Sequence, residues 1–510
     1  MITRLLAATS LMFAGMPAQA AWHEASTDHF VVYSDEKPEV LKSYAEKIEK
    51  FDKAMRIIRG IEDRKTGRAN RVQIFFVEDY RDVARLAGGG AAGFYIGKAG
   101  DSFAVAPRET ERDIKRDQRL AVLLHEYTHH FLFAHWPNAT LPWWFSEGNA
   151  DFAGTAQFPE DGSVLFGVPD AIRLRDLGYL YGRPLPIPRM LSAEFDELYG
   201  DAAYALYARG WLFVHYMHFE KSRAGQLAAY LDAIAKGVPV ADAARTSFGD
   251  LQKLDRELEA YRKRKTMNQF SLSAKAVTIA PVTVRPLDAG EAALLPARMR
   301  VLRGMKRMAG ADATAARKAA KDFPAHPWAQ TVLAQAELAA GNLDAAEVAA
   351  DRALAADPKA GDAMLAKGMA RMKRAALAKD RDPANWKAIR SWFTQANRID
   401  PDDPKPLIQF YKSFVEAGAT PTANSVTGLS YAFALAPQDA KLRMMLGRQH
   451  IADGNSQAAL KVLKPVAYNP HGGDAGKIVR EILLLVEKGD KTAALARWDG
   501  AKELKDEDEG

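Results

Sequence analysis

His125-Glu126-Tyr127-Thr128-His129 decides how this chain is read, together with Pro142-Trp143-Trp144-Phe145-Ser146-Glu147-Gly148-Asn149-Ala150-Asp151 shortly after it. Around the first stretch Leu120, Val122, Leu123, Leu124, Tyr127 and Phe131 are apolar, and neither proline nor glycine occurs from Asp113 to Trp136. The spacing predicts a helix. On a helix, residues i and i+4 stand one above the other on the same face. His125 and His129 can therefore aim two imidazoles at one metal ion, and neutral imidazole suits zinc. Glu126 is turned about 100° from His125. That sets its carboxylate beside the metal, where it can take a proton from a bound water.

A catalytic zinc site needs a third protein ligand and an open position for water. His135 falls where the pattern HExxHxxGxxH has its third histidine, but the helix-breaking glycine of that pattern is Leu132 here. On an unbroken helix His135 lies about 9 Å beyond His129, out of reach of the same ion. Glu147 is the better ligand. Its segment follows Pro142, a helix-start signal, and Ser146 to Phe152 can form a second short helix facing the first. Asp151, at i+4 from Glu147, is then placed to hold a ligand imidazole by its second nitrogen. His130, His215 and His218 read as packing or surface histidines.

HEYTHHF followed by PWWFSEGNADF resembles the gluzincin metallopeptidases, specifically the peptidase MA-like group with its HExxH and W-x-x-E-G-x-A pair. The resemblance covers roughly residues 22–265. It implies a thermolysin-like domain, zinc on His125, His129 and Glu147, and Glu126 as general base. It also implies a downstream tyrosine that stabilises the oxyanion. The stretch Tyr207-Ala208-Arg209-Gly210-Trp211 looks like the helix that carries it, with Tyr207 the choice and Tyr204 the fallback. No GxMEN-like strand, the amine-capturing element of the aminopeptidase members, is found. An endopeptidase, or an enzyme of narrow specificity, is therefore expected. In that family an edge strand beside the zinc helix pairs with the substrate backbone, and Ser102–Ala106 would be that edge.

At 510 residues the chain is long enough for two or three domains. Hydrophobic residues at 48% and charged residues at 26% exclude wholesale disorder. The net charge of +6, without a nucleic-acid motif, implies a mildly basic surface and no nucleic-acid partner. Cysteine is absent, which excludes disulfides, thiolate metal sites and cysteine nucleophiles. The start, Met1-Ile2-Thr3-Arg4, an apolar run from Leu5 to Met16, then Ala18-Gln19-Ala20, describes a secretory signal peptide cleaved after Ala20. Its apolar run is too short to span a membrane, and no later segment is apolar enough. A periplasmic or secreted protein is expected.

Along the chain, His29–Ser34, Arg71–Val77 and Ser102–Ala106 read as strands. Val40, Tyr44, Ile48, Phe51, Met55 and Ile58 mark an amphipathic helix stopped by Gly60. Gly88–Gly93 lacks the following Gly-Lys-Ser/Thr of a phosphate loop and reads as a loop near the cleft. Residues 153–200 carry turn signals, and 202–265 is helical with a break near Gly237-Val238-Pro239. Arg262-Lys263-Arg264-Lys265 reads as a solvated helix end. The peptidase-like domain is assigned to 21–270 and an extended connector to 271–295.

Beyond it, alanine is dense and a repeat emerges. Ala339-Ala340-Gly341-Asn342-Leu343-Asp344-Ala345-Ala346 echoes Ala452-Asp453-Gly454-Asn455-Ser456-Gln457-Ala458-Ala459. Pro358, Pro401, Pro437 and Pro470 punctuate it at spacings of 43, 36 and 33, the longest pointing to an insertion near Ala375–Asn385. Residues 296–500 resemble tetratricopeptide (TPR) repeats, which implies an all-α solenoid whose concave surface takes a protein partner. Residues 501–510 form a charged tail.

The expectation is an α+β, exported zinc metallopeptidase acting on a protein or peptide, followed by a TPR-like solenoid. The competing readings are a periplasmic TPR scaffold with a structural or inactive zinc site, and a hydrolase of some non-peptide bond. Glu126 favours an enzyme, because a purely structural site has no use for it.

Overall fold

A computed structural model of the protein describes residues 22–89, 93–108, 118–179, 185–192, 198, 200–469, 473–501 and 504. The expected leader (1–20), the middle of the Gly88–Gly93 loop, Pro470 and most of the charged tail lie outside them.

The architecture is α+β, mostly helical with one small mixed sheet. Its strands are β1 (His23–Ser26), β2 (Phe30–Ser34), β3 (Val72–Val77), β4 (Phe94–Ile96), β5 (Phe103–Pro107) and, much later, β8 (Thr283–Pro286). The order across the sheet is β4-β5-β3-β2-β1-β8. β2, β3 and β5 run parallel, while β4, β1 and β8 are antiparallel to their neighbours. A separate ribbon pairs β6 (Val164–Phe166) with β7 (Phe270–Leu272). The Ser102–Ala106 stretch expected at the edge is therefore interior. Beyond it lies β4, three residues between Gly93 and Gly97, too short for an alternating pattern to reveal.

Among the described residues, ten α-helices accompany these strands: α1 (Pro38–Arg59), α2 (Tyr80–Ala87), α3 (Gln118–His135), α4 (Trp143–Gly154), α5 (Ala171–Tyr179), α6 (Ile187–Ser192), α7 (Asp201–Phe219), α8 (Gln226–Ala235), α9 (Val240–Phe248) and α10 (Leu251–Arg262). Gly60, with φ +64°, ends α1 in the left-handed conformation that glycine adopts without strain. Residues 271–295 are extended in part but do not act as a free connector. β8 joins the sheet beside β1, and α11 (Ala289–Arg303) starts within them behind an Asp288–Glu291 capping box.

From α11 on the helices come in pairs: α11 with α12 (Ala309–Ala320), α13 (Pro327–Ala339) with α14 (Leu343–Ala356), and α15 (Gly361–Leu377) with α16 (Pro383–Ile399). α17 (Pro404–Glu416) with α18 (Ala423–Leu435), α19 (Ala440–Ala452) with α20 (Ser456–Ala467), and α21 (Gly473–Glu487) with α22 (Lys491–Gly500) follow. Each helix packs on the next in sequence.

The sheet is covered on both faces because its side chains alternate. Phe30, Val32, Ile74, Phe76, Ala104 and Ala106 meet α1 and α3. Phe75, Val77, Phe103 and Val105 meet Val83 of α2 and Leu295, Met299 and Leu302 of α11. The first of the paired helices is thus part of the sheet's own core.

The paired helices also grip the turn between β4 and β5. Ala99 donates its N–H to Asp439 (2.8 Å), and Gln438 donates to Ser102 (3.2 Å). Asp101 pairs with Arg298 of α11 at 2.6 Å and with Lys405 of α17 at 3.4 Å. Lys405 also meets Asp362 at 2.8 Å and Asp403 at 4.0 Å. Three carboxylates thus surround two cations, and one of them is surplus. Burial first, with Asp362 and Asp101 adding repulsion that Lys405 only partly offsets, pushes the Asp403 carboxyl up to about 6. A raised acid destabilises the fold once it ionises there, so its cost is absent below the unfolded value near 4, grows as pH rises, and is complete above about 6. Asp403→Asn keeps the side-chain oxygen that caps α17. It should stabilise the protein by on the order of 2 kcal/mol above pH 6 and by less at pH 4.5. Thermal midpoints of both proteins at pH 4.5 and 7.5 check this; an equal shift at both would refute it.

Candidate metal centre

α3 runs unbroken through Leu132, with Leu120, Leu123, Leu124, Tyr127 and Phe131 buried against the core. The opposite face carries His125 and His129. α4 begins directly after Pro142 and is buried at all twelve positions, as a helix in the centre of a domain must be. The two helices pack together and bring three ligand atoms to one point. His125 Nε2 and His129 Nε2 are 3.2 Å apart, and Glu147 Oε2 lies 3.5 and 3.6 Å from them. These three residues can hold a metal ion. The edge of a tetrahedron with metal–ligand arms of 2.0–2.1 Å is about 3.3–3.4 Å, which these separations match. Two imidazole nitrogens facing each other at 3.2 Å across a buried carboxylate need a cation or a shared proton between them.

The other ring nitrogens are held in place. His125 Nδ1 lies 3.0 Å from Asp151 Oδ1, and His129 Nδ1 lies 3.2 Å from the Ser146 hydroxyl. Asp151 in turn takes two hydrogen bonds from Arg173 of α5, at 2.6 and 3.1 Å. Burial disfavours an imidazolium at His125, but Asp151 and Glu147 outweigh it and lift its pKa to about 10. A metal ion must displace that proton. Asp151→Asn removes the charge that keeps the ring in its metal-facing orientation, and should weaken metal affinity by about 10–100-fold. Competition with a chelator of known affinity measures it; an unchanged affinity would remove Asp151 from the centre.

Glu126 is half-buried and makes no side-chain hydrogen bond to any described residue. It stands on the side of α3 that faces β4: its charge, after burial and together with that of Asp439, raises the Tyr95 phenol above the ordinary tyrosine value. Tyr95 itself is 2.5 Å from His130 Nδ1, and burial pushes His130 down to about 3, so that ring is neutral.

Tyr207, on α7, is half-buried at the same centre. Its ring lies 5.0 Å from the Arg173 guanidinium and edge-on to Trp143. Burial foremost, then the charge of Glu147, raises its pKa. Tyr204 is 62% exposed, so of the two tyrosines it is Tyr207 that lies among Arg173, Trp143 and the charge of Glu147. His135 is turned the other way: it stacks on Phe131 and lies 3.1 Å from an Arg56 nitrogen. His215 and His218 are engaged in packing with Tyr261 and Phe152.

Ser146 and Arg173 were not foreseen. Ser146 reaches His129 across two helices, and Arg173 comes from a turn-rich region; neither leaves a spacing signal. A second group, His29, Asp52 and Asp63, is also close enough to share a metal. There Arg56 already donates to Asp52 at 2.5 Å, and the Tyr127 hydroxyl does so at 2.5 Å. That network fastens α3 to α1 by ion pairing and hydrogen bonds, and a guanidinium in its midst opposes a second cation. No protein-family model matches the chain, and no curated protein matches it.

Proposed function

We propose that the protein is a zinc metallopeptidase of gluzincin type, with His125, His129 and Glu147 as ligands and a TPR-like array of helices behind it. The observation that carries this is the set of three near-tetrahedral ligand separations with a carboxylate, Glu126, one residue along the same helix that makes no side-chain hydrogen bond among the described residues. Nitrogen and carboxylate donors at such separations suit zinc, and a set of three leaves a fourth position open. When bound, zinc supplies a Lewis acid for the scissile carbonyl and lowers the pKa of water to about 7. Glu126 accepts the proton of the attacking water as the new C–O bond forms, and delivers it to the amine as the C–N bond breaks. The Tyr207 hydroxyl donates a hydrogen bond to the oxyanion. β4, at the end of the sheet and packed on α3, offers its outer edge to the substrate backbone.

The leader-like N-terminus supports export to a periplasm or the exterior. Among the described residues no helix is long and apolar enough to cross a membrane. The test is metal analysis of the purified protein beside cleavage of casein and a peptide library, before and after chelation. One zinc per chain with chelator-sensitive cleavage supports the reading. Absence of zinc after purification and after reconstitution would overturn it.

A further inference from the structure

We infer that the cavity between the Gly97–Ser102 turn and the paired helices continues the substrate cleft, and that it takes an extended acidic stretch of the same polypeptide that is cut at the metal centre. This rests on the peptidase reading above.

Continuity is the first argument. β4 ends at Ile96, and the chain passes directly from it into Gly97, Lys98 and Ala99, which line the cavity. Tyr95, on that same short strand, touches His130 of the metal-binding helix. Gly97 leaves little room for a side chain, since a Cβ there would lie 3.0 Å from the Tyr95 hydroxyl and 3.1 Å from the Gln438 carbonyl. Strand and helical array are therefore in direct backbone contact. A polypeptide added along the outer edge of β4 has the cavity at the end of its track.

Size and construction are the second. The cavity measures about 1230 Å³, above the range of about 300–1,000 Å³ for small-molecule sites. Its long wall is made by the first helix of five successive pairs, α11, α13, α15, α17 and α19. Neighbouring helices at about 8–10 Å give a trough long enough for roughly ten extended residues at about 3.3 Å each. Met305, Met369, Met372 and Met445 line it, and methionine adapts its shape to varied side chains.

Charge is the third. The lining holds nine lysines and arginines against five carboxylates. Several of these are spent on holding the β4–β5 turn, as Arg298 and Lys405 are. Lys373 and Lys412 are not: among the described residues neither has a carboxylate partner. A trough with apolar, methionine-rich walls and surplus ammonium groups favours a segment alternating Asp or Glu with apolar residues. A separate scaffold partner need not share its line with the metal centre, whereas a substrate must.

The experiment uses two peptides with one scissile core, one of them extended at either end by ten residues alternating Glu and Leu. In the parent protein the extended peptide should have a kcat/KM about tenfold or more above the short one, mostly through KM. In K373E/K412E that ratio should fall towards one, and a Lys–Leu extension should become the better substrate, with the thermal midpoint reporting on folding. An equal kcat/KM for both peptides in the parent, or an advantage that survives the charge reversal, overturns the inference while leaving the peptidase reading intact. Should no peptide be cut, the peptidase reading fails. Fluorescence anisotropy of the extension alone on the Glu126→Gln protein then decides the trough: binding lost in K373E/K412E/E126Q supports an acidic-peptide site, and no binding rejects it. A dimer that K373E/K412E dissolves would assign the trough to a second copy and overturn the inference.

Discussion

Glu126→Gln should retain one zinc per chain and lower kcat/KM on any cleaved peptide by about 10²–10⁴-fold, the range of a positioned general base. That corresponds to about 2.7–5.4 kcal/mol of lost transition-state stabilisation at 1.36 kcal/mol per tenfold. The substitution keeps the volume and polarity of the side chain but removes the proton acceptor. Metal content should hold because Glu126 is not among the three converging groups, and because the second nitrogens of both ligand rings are held by Asp151 and Ser146. KM should move little, since the base acts on the water rather than on the bound chain. His129→Ala gives the contrast: it takes away one corner of the ligand triangle and should cost the metal as well as the activity. Metal analysis and kcat/KM on the same preparations separate the two. Cleavage by Glu126→Gln within threefold of the parent would remove Glu126 from the reaction, and zinc loss in that variant would make it a ligand instead.

What could be read from the sequence was what depends on near neighbours in the chain. α3 follows from an apolar stripe without proline or glycine, and α4 from Pro142 and the pattern after it. Once two helices face each other, His125, His129, Glu147 and Asp151 fall into place by i+4 geometry alone. β2, β3 and β5 announced themselves by length and alternation. The edge strand did not: Phe94-Tyr95-Ile96 is three residues between glycines, so the edge that the resemblance implied was placed on the longer Ser102–Ala106 stretch next to it. β8 was legible as extended chain, but its partner β1 lies some 260 positions earlier, and no local pattern carries that information. The grip of Arg298 and Lys405 on Asp101 is likewise a matter of single side chains far apart in sequence. It fastens the helical array to the β4–β5 turn at the edge of the sheet, whereas composition alone would leave that array as a neighbouring module.

Gly148→Ala should be among the most damaging single methyl groups that can be added to this protein. The residue lies between Glu147 and Asn149 on α4, where α4 crosses α7. A Cβ there would sit 2.4 Å from the Gly210 carbonyl carbon, 2.5 Å from its oxygen and 2.9 Å from the Trp211 nitrogen. All three are backbone atoms of a buried helix, so no side-chain rotation relieves the overlap, and one helix must move. Overpacking costs about 1–3 kcal/mol where side chains can yield, and here about 3 kcal/mol or more is expected. The metal centre should register the same shift. Glu147 and Asp151 ride on α4 while both histidines ride on α3, so displacing α4 opens the 3.5 and 3.6 Å edges of the ligand triangle. Metal affinity should therefore fall together with stability. Gly210→Ala loads the same crossing from the other side, its Cβ lying 2.6 Å from the Trp144 carbonyl oxygen. The two should be markedly non-additive, because once the helices have parted the second methyl has room. Gly310→Ala, in the first turn of α12 with nothing within 4 Å of the added atom, should instead raise the midpoint slightly, by less than the about 0.5–1 kcal/mol that alanine gains over glycine in a helix interior. Thermal midpoints and zinc competition for the parent, the three single variants and the Gly148→Ala/Gly210→Ala double variant test the set. A Gly148→Ala protein that melts with the parent and binds zinc as tightly would mean that the α4–α7 crossing is not what holds Glu147 against the two histidines.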